Sequence, residues 1–176
     1  MAHELEKYIV SIPDFPQKGV LFRDVTGIFD SGYDFRLAVD ELERLLDGVE
    51  FNKIAAPESR GFIFAAAIAV RKSIPFIPVR KPGKLPRKTI SQSYELEYGS
   101  ASLHMHDDAV RKGDKVVIVD DLLATGGTAR ATAKLIEELG GEVVKIVFPI
   151  ELDGFNARSG LLSGYDVESI VHYSGT

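Results

Sequence analysis

Residues 116–131, which read VVIVDDLLATGGTARA, constrain the fold of this chain more than any other stretch. The apolar run 116–119 is typical of a strand that is buried on both faces of a parallel sheet. Two aspartates follow, then a short loop with two glycines and two threonines, then a segment that predicts a helix from about Thr128. The pattern therefore indicates an α/β protein with a strand–loop–helix unit near its centre.

The loop in this unit has the composition of an anion site. Glycines let backbone N–H groups close around an oxyanion, and the N-terminus of a helix adds partial positive charge. Asp120 and Asp121 are predicted at the carboxyl end of the strand, where ligands bind in open α/β sheets. Since like charges repel, these acids suit sugar hydroxyls or a metal ion rather than phosphate. The unit therefore predicts a site for a ribose 5-phosphate.

Other interpretations of this unit fit less well. A P-loop requires GxxxxGK[ST], and no lysine follows Gly127; a dinucleotide loop requires its acid after the glycines, not before them. An ordinary strand–turn–helix with solvated aspartates is the remaining alternative. It is disfavoured because adjacent acids at a buried strand end are costly without a ligand.

The composition predicts one domain, residues 1–176, with an N-terminal arm and hood at about 1–33. The formal net charge of -5 argues against nucleic acid and a polybasic membrane contact, and the absence of cysteine excludes disulfides. The N-terminus lacks the apolar core of a signal peptide, and the longest low-charge run, residues 61–70, is too short to span a bilayer. We therefore expect a cytoplasmic protein.

Strands alternating with helices predict a parallel sheet flanked by helices. Strands are expected at residues 53–57, 75–79, 116–120 and 143–150, and helices at 34–47, 61–72 and 128–139. The helix at 61–72 is apolar nearly all round and is expected to be buried. Residues 81–98 are polar and contain prolines and a glycine, so they predict a long mobile loop with a hairpin at its end.

Two further segments predict anion contacts. Residues 57–62, PESRGF, join a predicted strand to a predicted helix, and Arg60 has the fork geometry that phosphate oxygens favour. An ion pair between Glu58 and Arg60 at the helix end is the plain alternative. Five cations follow the strand at 75–79, and they indicate either a clamp for a diphosphate or a solvated basic loop: Arg80, Lys81, Lys84, Arg87 and Lys88.

The remaining candidates leave their alternatives open. Residues 13–24, PDFPQKGVLFRD, suit either a cover over a flat base or an arm packed on the core. In YELEYG, residues 94–99, Glu97 or Glu95 suits proton transfer, but the alternation also fits a half-exposed strand. His104 and His106 share a strand face, yet without a third ligand a surface strand is favoured over a metal site. His172 has no recognisable partner and receives no role.

Together these segments resemble the adenine phosphoribosyltransferases, a family of the type I phosphoribosyltransferases. PDFPQKGVLFRD, ESRGF, RKPGKLP with YELEYG, and VDDLLATGGTA occur here in that family's order and approximate spacing. The resemblance covers about residues 9–152. It implies the type I fold: a central mostly parallel sheet flanked by helices, with a small hood over the base site. His104 replaces an acid that is usual in the family, and residues after Gly154 are too weakly similar for anything to be carried over.

The resemblance also implies an activity, in which adenine and phosphoribosyl diphosphate (PRPP) give AMP and diphosphate for purine salvage. It implies Mg²⁺, bound through PRPP with Asp120 and Asp121 as possible ligands, and a homodimer in which a basic residue reaches a neighbouring subunit's site. The 5-phosphate would be held by Ala124, Thr125, Gly126, Gly127 and Thr128, with the ribose hydroxyls facing Asp120 and Asp121. Ser59, Arg60, Arg80, Lys81 and Lys84 would meet the diphosphate.

By the same resemblance, Arg60 and Glu97 would be the catalytic residues, with Glu97 handling a proton. Leu21, Phe22, Arg23 and Leu152 would surround the base. The Glu58–Ser59 peptide is expected to be cis. Two alternatives stay open: a related transferase for hypoxanthine, guanine or xanthine, and, less favoured, a PRPP-sensing regulator that binds nucleic acid.

Overall fold

A six-stranded parallel sheet forms the centre of the structure, a computed structural model that describes residues 3–95 and 99–175. The strands are β1 (Val10–Pro13), β2 (Leu21–Asp24), β3 (Lys53–Pro57), β4 (Phe76–Val79), β5 (Thr89–Glu95), β6 (Ser100–His106), β7 (Lys115–Val119), β8 (Leu122–Leu123), β9 (Glu142–Leu152) and β10 (Val167–Tyr173). The helices are α1 (Gly32–Leu45), α2 (Gly61–Lys72) and α3 (Gly127–Glu138), with 3₁₀ turns at Glu4–Tyr8, Thr26–Phe29 and Asp153–Phe155.

The strand order of the sheet places β3 and β7 at its middle. The main path is β10–β9–β7–β3–β4, with short β8 paired to β9, and every pairing is parallel. The apolar runs of β3 and β7 are buried because both faces are covered. One core, with Phe64 and Leu42, packs α1 and α2 on one face, and another, with Leu135 and Met105, packs α3 and β6 on the other.

Two antiparallel hairpins stand outside the sheet. Strands β1 and β2 pair near the N-terminus, where the hood is expected, with Ile12 opposite Phe22. The peptide bond between Phe15 and Pro16 in this hairpin is cis, and the rings of Phe15 and Phe22 meet edge to face at 5.2 Å. Strands β5 and β6 form the second hairpin.

Several predicted elements are confirmed. The strand at 53–57 and the helix at 61–72 have the expected bounds, β4 starts one residue late, and α3 starts one residue early. Helix α1 begins earlier than expected because the Ser31 hydroxyl accepts hydrogen bonds from the N–H groups of Tyr33 and Asp34. Gly48, the expected stop, has a φ of +78° just beyond the end of the helix.

Other expectations are wrong in part. Helix α2 buries only the face with Phe64 and Ile68, because the sheet covers one side; Ile63 and Val70 remain 40% and 79% exposed. The irregular part of the segment 81–98 is shorter than expected because β5 begins at Thr89. Strand β10 was not predicted at all. No helix in the described part of the chain is long and apolar enough to cross a bilayer.

Candidate active site

Two strand-to-helix turns meet at the carboxyl edge of the sheet. We call residues 58–60, between β3 and α2, the Arg60 turn, and residues 120–128, which run from the end of β7 through β8 into the first turn of α3, the Gly126 turn. Because β3 and β7 are neighbours, the turns touch: a Cβ on Gly61 would lie 2.7 Å from Asp120 Oδ1 and 3.0 Å from the Val119 carbonyl oxygen. Only glycine fits at this crossing.

The Gly126 turn forms a small pocket of about 80 Å³. Gly126 has a φ of +86° and is the N-cap of α3, so it supplies no side-chain acceptor to the helix. The N–H groups at the start of α3 are therefore arranged for an anion, with one long contact of 3.4 Å from the Gly127 N–H to Thr125 Oγ1. The pocket is lined by Asp120, Leu122, Leu123, Ala124, Thr125, Gly126, Gly127, Thr128, Ala129 and Phe148.

A larger cavity of about 370 Å³ adjoins this pocket. Three residues, Asp120, Leu122 and Thr128, line both spaces. The acidic end of β7 and the glycine–threonine loop therefore border two adjoining spaces that share part of their walls. The larger cavity is lined by Glu58, Ser59, Arg60, Lys81, Tyr94, Leu103, Asp120, Asp121, Leu122 and Thr128.

The two aspartates differ in their surroundings. Burial raises the pKa of Asp120 well above its ordinary value, and the adjacent charge of Asp121 adds to this. Asp120 Oδ1 accepts a hydrogen bond of 2.9 Å from the Asp121 N–H. Asp121 is paired with Arg60, whose Nε lies 2.5 Å from Oδ2. The guanidinium of Arg60 also lies 5.7 Å from the ring centre of Phe22, which connects the hood to the cavity.

Glu58 holds the start of the basic segment, by which we mean residues 80–88 with their five cations. Its carboxylate accepts hydrogen bonds from Arg80 Nε at 2.9 Å and from the Lys81 N–H at 3.1 Å. Burial acts to raise the pKa of Glu58, but these hydrogen bonds and the nearby charges lower it overall. The Glu58–Ser59 peptide bond is cis. The predicted alternative, an ion pair between Glu58 and Arg60, is wrong, because each side chain has a different partner.

The structure brings most predicted phosphate residues together, but not all. The side chain of Arg80 is hydrogen-bonded to Glu58, and its Nη1 donates a second hydrogen bond of 3.1 Å to the Lys84 carbonyl oxygen. Among the residues that the structure describes, Arg80 and Lys84 are outside the lining of both spaces. Glu97, the predicted proton-transfer residue, lies outside the described residues.

The four predicted base residues lie at the hood side. The guanidinium of Arg23 stacks 3.8 Å from the ring centre of Tyr173, and Tyr173 pairs in register with Leu152. Phe22 packs on Phe15, and Leu21 is 40% exposed. Within residues 3–95 and 99–175, none of the four lines the larger cavity, so the hood adjoins the cavity through Arg60.

The histidines of β6 contact strand neighbours. His104 Nδ1 lies 3.4 Å from Thr89 Oγ1, and His106 Nδ1 lies 3.4 Å from the Lys88 carbonyl oxygen.

Sequence reasoning missed a cluster at the ends of β9 and β10. His172 Nδ1 lies 2.8 Å from Asp153 and 3.9 Å from Glu151. The expectation that His172 has no partner is therefore wrong. Arg158 binds both carboxylate oxygens of Glu151. Of the described residues, Glu151, Asp153 and His172 are the one group spaced like metal ligands, but the guanidinium already neutralises the buried carboxylate. The cluster was missed because His172 lies 19 positions from Asp153, and no local pattern links positions that far apart.

Comparisons with known proteins agree with this geometry. A family model described as a phosphoribosyl transferase domain matches residues 36–167. An adenine phosphoribosyltransferase of Agathobacter rectalis is 55% identical over 171 residues, which span 97% of this chain and 98% of that protein. The crystal structure of the Thermoanaerobacter pseudethanolicus adenine phosphoribosyltransferase has a TM-score of 0.94 at 50% identity, covering 97% of this chain and 98% of that one.

A more distant structure adds a ligand. The crystal structure of adenine phosphoribosyltransferase from Saccharomyces cerevisiae has a TM-score of 0.89 at 36% identity and covers 96% of this chain and 97% of that one. That protein is complexed with adenine and D-2,5-dideoxy-2,5-imino-altritol 1,6-bisphosphate.

Proposed function

Because the chain belongs to the adenine phosphoribosyltransferases of the phosphoribosyl transferase family, we propose that its two adjoining spaces hold the two ends of PRPP. The protein transfers the 5-phosphoribosyl group from PRPP to adenine, giving AMP and diphosphate for purine salvage. One observation carries the assignment of residues: Asp120, Leu122 and Thr128 line the small pocket and the large cavity together. A sugar placed at this junction has a phosphate site on one side and cations on the other.

The 5-phosphate binds in the small pocket. Ala124, Thr125, Gly126, Gly127 and Thr128 surround it with backbone N–H groups and hydroxyls at the N-terminus of α3. A phosphate is favoured there because the helix N-terminus carries partial positive charge and Gly126 leaves room for the oxygens. The ribose hydroxyls then face the carboxylates of Asp120 and Asp121.

The diphosphate binds in the larger cavity beside Ser59, Arg60 and Lys81. Arg60 exchanges Asp121 for phosphate oxygens, which carry more negative charge and accept the same bidentate contact. Arg80 and Lys84 belong to the same proposed set. For this role, the Arg80 side chain must leave its contacts with Glu58 and with the Lys84 carbonyl oxygen.

The donor set also fits a magnesium ion. Asp120 and Asp121 offer hard carboxylate oxygens at the cavity wall, and Mg²⁺ in proteins is commonly held by one or two carboxylates together with substrate phosphates. When bound with PRPP, the ion would neutralise negative charge on the diphosphate.

Adenine binds under the hood. Leu21, Phe22, Arg23 and Leu152 are the proposed base residues, supported by the place of the β1–β2 hairpin beside the cavity and by the adenine in the yeast complex. Glu97 is proposed to accept the proton that adenine N9 loses.

In the chemical step, the protein positions the two substrates and stabilises charge, and it forms no covalent bond with either of them. Adenine N9 forms a bond to C1 of the ribose as the C1–O bond to diphosphate breaks, and the electron pair leaves with the diphosphate. The sugar passes through an oxocarbenium-like state, so Arg60 and Lys81 stabilise charge that develops on the leaving group. The segment 81–98 closes over the site and excludes water, which would otherwise hydrolyse PRPP.

The wider organisation is proposed on the same family membership. We propose a single domain over residues 1–176 and a homodimer in which a basic residue of the segment after β4 reaches the neighbouring subunit's site. The cytoplasmic location remains a prediction from the sequence.

The decisive experiment is incubation with PRPP, Mg²⁺ and an equimolar mixture of adenine, hypoxanthine, guanine and xanthine, followed by identification of the nucleotide. AMP is the expected product. IMP, GMP or XMP would support the related transferases instead. A salt-dependent shift of labelled DNA or RNA, with no nucleotide formed, would favour the regulator.

A further inference from the structure

Residues 156–165 form an irregular segment directly behind the Gly126 turn, and we call it the backing segment. A Cβ built on Gly126 would lie 3.1 Å from Leu162 Cγ and 3.4 Å from Ala157 Cβ. Leu162 is fully buried and Ala157 is 3% exposed, so these two side chains form a solid wall against the loop. The shape of the loop is therefore set in part by what packs behind it.

The backing segment is attached to the sheet through one ion pair. Arg158 Nε lies 2.9 Å from both carboxylate oxygens of Glu151, near the end of β9. Arg158 Nη1 donates a hydrogen bond of 2.7 Å to the Val167 carbonyl oxygen at the start of β10. Glu151 is only 4% exposed. Without the guanidinium, this buried carboxylate would keep only the imidazole of His172, 3.9 Å away, as a counter-charge, which is strongly unfavourable.

A second attachment ties the same segment to the helix that follows the loop. Arg130, on the first turn of α3, donates a hydrogen bond of 2.8 Å from Nη1 to the Leu161 carbonyl oxygen. Its guanidinium also lies 5.8 Å from the ring centre of Tyr165. The backing segment therefore bridges β9, β10 and α3, the elements that surround the loop.

The loop depends on this support because it has little of its own. Gly126 holds a positive φ, and α3 begins without a side-chain cap at its N-cap position. Glycine gains no rigidity from a side chain, so packing must fix the direction of the N–H groups. An anion site made of backbone dipoles is effective only when those dipoles are fixed in advance.

We propose that Arg158, paired with Glu151, is a positioning residue for the 5-phosphate loop and acts through Leu162 and Ala157. The proposal rests on the proposed function, since it assumes that the Gly126 turn holds the 5-phosphate. Arg158 itself contacts no substrate in this scheme. It keeps the wall behind the loop in place, and PRPP affinity depends on that wall while adenine affinity does not.

The test compares Arg158→Gln, Arg158→Lys and Leu162→Ala with a control ion pair at the amino ends of the central strands β3 and β7. The control is Asp114→Asn, which breaks a contact of 2.9 Å between Lys53 and Asp114, both largely buried. For each variant we would measure the KM for PRPP, the KM for adenine, the Kd of ribose 5-phosphate by calorimetry, and the melting temperature.

Arg158→Gln and Leu162→Ala should raise the KM for PRPP and the Kd of ribose 5-phosphate by roughly tenfold, the scale expected for a misplaced binding group. The KM for adenine should stay within about twofold. Arg158→Lys keeps the charge but loses the fork, so it should recover part of the affinity. Asp114→Asn should lower the melting temperature and leave both phosphate constants unchanged.

The proposal is overturned if Arg158→Gln and Leu162→Ala lower the melting temperature, as the control does, with no change in the Kd of ribose 5-phosphate. Should Arg158→Gln fail to fold, Leu162→Ala and Arg158→Lys decide the question by the same constants. Failure of the wild type to form AMP would contradict the proposed function separately, because the Kd of ribose 5-phosphate is measured without turnover.

Discussion

The Arg60 turn and the Gly126 turn follow neighbouring strands and face one cavity, but they present positive charge in opposite ways. The Arg60 turn uses a side chain, the guanidinium at the N-cap position of α2. The Gly126 turn uses backbone N–H groups, since its N-cap is a glycine with a φ of +86°. A flexible side chain is free to pair with another side chain of the protein, as Arg60 does with Asp121. Backbone dipoles cannot turn away in this manner, so their orientation depends on packing.

The carboxyl groups of the two turns differ as well. Glu58, in the Arg60 turn, has a lowered pKa because hydrogen bonds from Arg80 and Lys81 outweigh its burial. Asp120, in the Gly126 turn, has a raised pKa because burial and the charge of Asp121 both disfavour its anion. One turn therefore gains stability from its acid at neutral pH, and the other loses it.

The largest expected effect comes from removing the side-chain charge. Arg60→Ala should lower kcat by about 10²–10³-fold, the typical loss for a group aimed at charge in the transition state, and leave the fold intact. Steady-state kinetics and a thermal melt measure the two quantities. Arg71→Ala, near the other end of α2, is the control and should keep the wild-type rate. An unchanged rate for Arg60→Ala would remove Arg60 from the diphosphate site.

The contact between the turns is tested next. Gly61→Ala places a Cβ against Asp120 Oδ1 and the Val119 carbonyl oxygen, so the turns must separate. The free energy of unfolding should fall by about 1–3 kcal/mol, and kcat/KM should fall about tenfold because Asp120 is displaced. Gly32→Ala is the matched control, since a Cβ there meets nothing within 4 Å. Wild-type kinetics for Gly61→Ala would show that the close contact is not needed.

Asp120→Asn tests the raised pKa. An acid with a raised folded pKa stabilises the fold fully below its unfolded value, 3.8, and this contribution is lost as pH rises through the folded pKa. Asparagine does not ionise, so the variant keeps its stability as pH rises. Its melting temperature should therefore exceed that of the wild type by about 2–4 °C at pH 8. The difference should shrink at pH 5. A variant that melts lower than the wild type at pH 8 would refute this assignment.

Glu58→Gln should give the smallest effect, with the opposite sign. An acid with a lowered pKa stabilises the fold above its unfolded value, 4.5, and loses this as pH falls through the folded pKa. The variant should lose about 0.5–1 kcal/mol of unfolding free energy at pH 7 and almost nothing at pH 3. Urea unfolding at both values measures this, with exposed Glu50→Gln as the control. Equal losses at pH 7 and pH 3 would contradict it.

Prediction from sequence succeeded where the signal is local. The bounds of β3 and α2 were predicted without error because apolar runs and turn residues mark both ends. Six residues that line the small pocket, Asp120 and Ala124 to Thr128, belong to the predicted phosphate and ribose site, whose role stays a prediction; Phe148, which comes from β9, was not predicted.

It was incomplete where the signal comes from distant parts of the chain. The segment 81–98 showed no clear period, because the burial that defines β5 comes from pairing with β6 and packing on α3. The pairing of Arg80 with Glu58 was not expected, since the cations of residues 80–88 suggested either a clamp for a diphosphate or a solvated loop, and neither predicts an internal partner.

The amino-acid sequence by itself determined that a glycine–threonine loop and an acidic strand end lie on one strand–loop–helix unit, because both belong to adjacent residues with fixed geometry. Only the tertiary structure decided that Arg60 pairs with Asp121, that Gly61 packs closely against Asp120, and that Leu162 packs against Gly126. These contacts join residues more than thirty positions apart. Such pairs meet only after the parallel sheet has set the strand order, and no local pattern encodes that order.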